Sequence, residues 1–108
     1  MDINYYLQKI EDYQSEGIDS YRFNNIEDIN LIISGLRGLQ KHSEAEALFF
    51  KYEADLKSSE YWPVFLSVIL QVFNESGNTK ALITYTRELK KIYPDHPYVI
   101  EISKYHTI

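Results

Sequence analysis

Apolar residues recur at helical spacing almost from one end of this chain to the other, and no stretch alternates with period two over strand length. That pattern restricts the chain to helices packed on helices. Residues 2–16 place Ile3, Tyr6, Leu7, Ile10 and Tyr13 on one stripe, with Asp2, Tyr5, Lys9, Asp12 and Glu16 opposite. Gly17 supplies a stop, and residues 17–25 form a connector carrying Tyr21 and Phe23. Asn25 is a good cap for a second helix over 26–41, with Glu27 and Asp28 at the positive end of its dipole. Gly35 and Gly38 within that helix each cost about 1 kcal/mol relative to Ala, which predicts a neighbouring helix passing close by.

Ser43 and Glu46 form a capping box opening a third helix, with Ala45, Leu48, Phe49, Tyr52 and Leu56 at helical spacing. A fourth spans 60–76, with Pro63 in its first turn and Gly77 past its end. Asn78 caps a fifth over 79–93, stopped by Pro94, and a short sixth runs to about residue 105. The expected fold is all-α: about six antiparallel helices in one domain over 1–108. No cysteine is present, so a core must form without disulfides or thiolate metal sites. At 108 residues the chain is long enough for one.

Displaced by 36 residues, the chain resembles itself. Ile26 falls on Trp62, Ile29 on Phe65, Ile32 on Val68, Ile33 on Ile69 and Leu36 on Val72; Ala45 then falls on Ala81, Phe49 on Tyr85 and Leu56 on Ile92. The interhelix turns coincide as well. Two helix pairs over 26–97 thus resemble tetratricopeptide repeats, best carried by SGNTKALITYTRELKKIYPDHP, although the first copy lacks the terminal proline. The resemblance implies a peptide- or protein-binding scaffold, with the first and sixth helices capping the ends. Its groove would fall on Asn30, Leu31, Ser34 and Arg37, then Leu66, Ser67, Leu70 and Phe73. With Leu66, Leu70 and Phe73 where the family's carboxylate clamp has polar and basic residues, binding of acidic C-terminal tails is not expected.

The fourth helix, YWPVFLSVILQVF, is apolar nearly all round and must be covered on most sides, by another helix of the chain or by a partner. Cover from within the chain is the stronger expectation.

Charge separates the function classes. Residues 1–30 hold seven acids and two bases, while the other 78 residues hold nine of each, so the whole net charge of −5 sits in the first quarter. An acidic end repels phosphate and attracts basic partners, which disfavours nucleic acid and anionic membrane surfaces. No apolar run reaches the ~20 residues of a membrane span, and the first residues lack a signal peptide's basic region and cleavage site. A cytoplasmic, bacterial setting is expected.

His42, His96 and His106 lack metal-ligand spacing, and neither a nucleophile motif nor a phosphate loop is present. No catalytic residue, metal or cofactor is expected. The expected partner is instead a basic protein, met by Tyr5, Asp12, Glu16, Asp19, Tyr21, Phe23 and Asp28, where aromatics sit among carboxylates. Small acidic immunity proteins that mask nucleic-acid-cleaving toxins have this character. The alternative is a chaperone or adaptor that holds an apolar segment of a client, such as a secreted subunit, through Leu31, Arg37, Leu66, Leu70 and Phe73. A homodimer with no other partner is the third reading.

Overall fold

A computed structural model describes residues 3–108. Among these the chain is all-helical, with six helices in order: α1 (Ile3–Glu16), α2 (Ile26–Gly38), α3 (His42–Lys57), α4 (Trp62–Ser76), α5 (Thr79–Ile92) and α6 (Pro97–Ser103). The expected start of α1 at Asp2 lies outside the described residues. The chain divides into two compact units, the first ending at Glu53 and the second running Ala54–Ile108.

In the first unit, α1 packs against α2. The expected apolar stripe of α1 is only partly used. Ile10 and Tyr13 are buried, whereas Ile3 and Leu7 are 69% and 54% exposed. The helix is turned so that Tyr6, Lys9, Ile10 and Tyr13 face inward. Lys9, expected on the solvent side, makes an ion pair with Asp28 of α2 at 3.3 Å. Gly35 explains the close approach: a Cβ there would collide with Ile10 and meet the Tyr6 hydroxyl at 3.3 Å. Gly38, the last residue of α2, has nothing within 4 Å of such a Cβ, so the expected close neighbour is absent at that position.

Local chemistry sets the ends of α2. The Asn25 side chain accepts a hydrogen bond from the Asp28 amide at 3.1 Å, closing the first turn as expected of a cap. At the other end the helix stops three residues short of expectation. Gln40 takes a left-handed φ of 60°, its amide donates to the Arg37 carbonyl, and that of Lys41 donates to Leu36. This is the Schellman closure, made here without glycine. Gly17 and Gly77 close α1 and α4 with positive φ, as their residue type suits.

Residues 17–25 fold onto their own unit through aromatic rings. Tyr21 lies edge-on to Tyr13 at 5.7 Å and to Phe23 at 4.9 Å, and Phe23 meets Tyr52 of α3 at 5.4 Å. Lys51 ties the same connector down by donating to the Ile18 carbonyl at 2.7 Å.

In the second unit, α4 packs on α5 and α5 on α6. Trp62, Phe65, Leu66, Ile69, Leu70, Val72 and Phe73 of α4 are buried, as its all-round apolar character demands. Phe73 stacks on Tyr85 of α5 at 5.5 Å. The amide end of α5 is capped by Asn78, whose side chain accepts from Ala81 at 3.3 Å. Thr86, fully buried, returns its hydroxyl to the Leu82 carbonyl, so no polar atom there is stranded. The close packing of α4 on α5 has no counterpart of similar extent between α2 and α3.

Candidate functional site

The exposed side of α1 carries Tyr5, Asp12 and Glu16 at spacings of seven and four residues, which align them along one stripe. Tyr5 is 48% exposed, and the Lys9 ammonium lies 5.1 Å from its ring centroid. Asp12 is half-buried and accepts a hydrogen bond from Gln8 at 2.8 Å. Glu16 is exposed. Asp19, beyond the helix end, is exposed and pairs with Lys51 at 3.2 Å.

Two of the residues expected at a surface are not there. Tyr21 is 6% exposed and Asp28 is 5% exposed. Tyr21 fills the space beside Tyr13 and Phe23, and Asp28 is committed to Lys9 and to the first turn of α2. Phe23 is half-buried within the same aromatic cluster. These three hold the unit together instead of presenting a surface. Tyr21 still reports the local field. Burial raises its phenol pKa first, Lys9 lowers it, and the charges of Asp28, Asp12 and Glu16 raise it again. The carboxylates of both helices therefore act on one point.

The groove residues fare similarly. Leu66, Leu70 and Phe73 are each at most 1% exposed, so they offer no open apolar face. Tyr85 covers Phe73, and Leu70 shares a cavity of about 280 Å³ with Leu82, Tyr98 and Ile102 of α5 and α6. Leu31 and Arg37 are half-buried.

What the structure does bring together is an open cleft of about 580 Å³ in the first unit. Tyr5 and Tyr6 of α1 form one side. Asn25, Glu27, Asp28, Asn30, Leu31 and Ser34 form the other. Members of the acidic set, Tyr5 and Asp28, thus meet members of the groove set, Asn30, Leu31 and Ser34. Burial pushes the Tyr6 phenol pKa up from its ordinary value. The Asn30 side-chain oxygen is buried with no hydrogen-bond partner. Sequence reasoning missed Tyr6 and Glu27 as parts of this cleft, and Lys9 as the partner of its Asp28. Gly35 was the available signal, because a helix crossing there must bring Tyr6 and Ile10 against α2.

Among the described residues no group of three or more His, Asp or Glu is arranged to hold a metal. No helix among them is long and apolar enough to cross a membrane. His96 caps α6, its Nδ1 accepting from the Tyr98 amide at 3.1 Å. Compared with known protein families, with characterised proteins and with solved structures, the chain shows no match.

Proposed function

We propose that this chain is a non-catalytic protein-binding module whose acidic first unit covers a basic surface of one cognate protein, of the kind a nucleic-acid-cleaving toxin presents. The observation that carries the reading is the stripe of exposed Tyr5 and Glu16 with half-buried Asp12 between them, Tyr5 also lining a cleft that holds two carboxylates. Up to residue 53 the chain has ten acids and five bases, whereas from 54 onward it has six of each. A half-exposed aromatic lining a cleft with carboxylates suits an anchor with a steering rim. The tetratricopeptide-like reading of residues 26–97 and a cytoplasmic setting belong to this proposal. The eight coinciding apolar positions support the first. Weighing against a chaperone groove is the burial of Leu66, Leu70 and Phe73.

The test is retrieval of stoichiometric partners by the tagged protein from its host, followed by charge reversal. A basic protein released by high salt is expected. Asp12→Lys with Glu16→Lys should weaken its binding by on the order of 2–5 kcal/mol while leaving the thermal midpoint unchanged. A partner that survives the salt wash and binds the double variant normally would sink the masking reading.

A further inference from the structure

We infer that the cleft between α1 and the first turns of α2 receives an arginine side chain projecting from the protein partner, a proposal that rests on the masking reading above and gives it a point of attachment. The cleft is built of acceptors. Glu27 is exposed at it, and the Asn30 oxygen is buried in the structure without a hydrogen bond. A buried acceptor left unpaired costs about 1–3 kcal/mol, and a donor entering the cleft would recover that energy once the half-buried Asn30 side chain turns its oxygen toward it. Lys9 is not that donor: its ammonium is held by Asp28 at 3.3 Å and lies over Tyr5.

The charge around the cleft selects a cation. Glu27 and Asp28 contribute two negative charges against the single charge of Lys9, so a second cation is favoured and an anion repelled. The walls select which cation. Leu31 and the ring of Tyr6 give the methylene stem of a long side chain an apolar path, and the exposed part of Tyr5 gives a flat group something to stack on. An ammonium is compact and strongly hydrated, and would lose water here with little return. A guanidinium is weakly hydrated, planar and fork-shaped, so it can donate to Asn30 and Glu27 while lying on Tyr5. The cleft's open mouth suits a side chain reaching in from a surface.

The test uses the full chain, isotopically labelled, titrated with N-acetyl-arginine methylamide and followed by amide and side-chain NMR shifts. Saturable shifts confined to Tyr5, Glu27, Asn30 and Leu31 are expected. The lysine derivative and the neutral citrulline derivative should each bind at least about tenfold more weakly. Asn30→Leu should weaken arginine binding by about tenfold while leaving the thermal midpoint unchanged or raised, because it removes an unpaired acceptor. No saturable shift, equal binding of citrulline, or arginine binding unaltered by Asn30→Leu would each overturn the site. Failure of the site and failure of the masking reading remain distinguishable. A salt-released basic partner indifferent to Asn30→Leu sinks the site and leaves masking standing. Specific arginine binding in a chain that retrieves no basic partner keeps the site and sinks masking.

Discussion

Ile10 of α1 occupies the space that a side chain on Gly35 of α2 would need: its Cγ1 stands 2.7 Å from where a Cβ would be, and its Cδ1 closer still. Ordinarily Gly→Ala within a helix gains about 0.5–1 kcal/mol. Here the collision outweighs that gain, because a β-branched side chain in a helix has almost no alternative rotamer. Gly35→Ala should therefore destabilise the fold by about 1–2 kcal/mol. In an Ile10→Ala background the same substitution should become neutral or stabilising. Urea midpoints at constant slope check the cycle, and the same sign in both backgrounds would refute the packing argument.

That contact also shows where the sequence was legible. Helix number, the caps at Asn25 and Asn78, the stops at Gly17 and Gly77, and the burial of α4 all follow from local chemistry. Which edge of the α1 stripe turns inward does not. Periodicity defines a band that includes Ile3, Leu7 and Ile10, and the partner helix decides which part of it is used. Gly35 admits Ile10 and Tyr6, which carries Lys9 inward to Asp28 and leaves Ile3 and Leu7 outside. The acidic surface lost Asp28 for the same reason. Tyr21 moved inward because a nine-residue connector could fold its two rings, Tyr21 and Phe23, against Tyr13 of α1 and Tyr52 of α3. Nothing in composition separates such a ring from an exposed one.

Gln40 is a second such surprise and gives the simplest stabilising substitution. It holds a φ of 60°, a conformation that costs an ordinary L-residue roughly 1–2 kcal/mol and glycine almost nothing. Gln40→Gly should stabilise the protein by about 0.5–1 kcal/mol, raising the thermal midpoint by about 2–6 °C. Its side chain is exposed, so little packing is lost. A lowered midpoint would mean that the Gln40 side chain contributes something beyond the turn.

Alkaline pH should loosen the first unit. The Lys9 ammonium pKa is raised, first by its hydrogen bond to Tyr5 and further by Asp28, against burial, which lowers it. The Tyr13 phenol is pushed up to about 12, chiefly by burial and then by the charges of Glu44, Tyr52 and Asp19. Both groups bind their proton more tightly in the folded chain than at the unfolded values of about 10.4 and 10. The stability they contribute is thus complete below about pH 10 and lost as pH climbs through the folded values. Urea midpoints should fall between about pH 10 and 12, and Tyr13→Phe should flatten that fall. At neutral pH, Lys9→Met should cost about 2–3 kcal/mol by leaving the Asp28 carboxylate buried and alone, with Asp28→Asn recovering part of it.

Tyr5 and Tyr21 provide the sharpest separation between anchoring and packing. Tyr21 is 6% exposed and touches two aromatic rings, whereas Tyr5 is 48% exposed at the rim of the cleft. Tyr21→Ala should destabilise by about 3–4 kcal/mol, as truncation of a buried aromatic does. Tyr5→Ala should cost only about 0.5–1 kcal/mol, the loss of its contact with the Lys9 ammonium. Partner binding should respond in the opposite order. Tyr5→Ala should weaken it by about 2 kcal/mol or more, with the loss in the dissociation rate. Tyr21→Phe, which keeps the ring, should bind normally. Thermal melts and surface-immobilised kinetics on the three variants decide the matter. Normal binding by a well-folded Tyr5→Ala protein would remove the aromatic anchor and leave only the charged stripe of Asp12 and Glu16 to hold the partner.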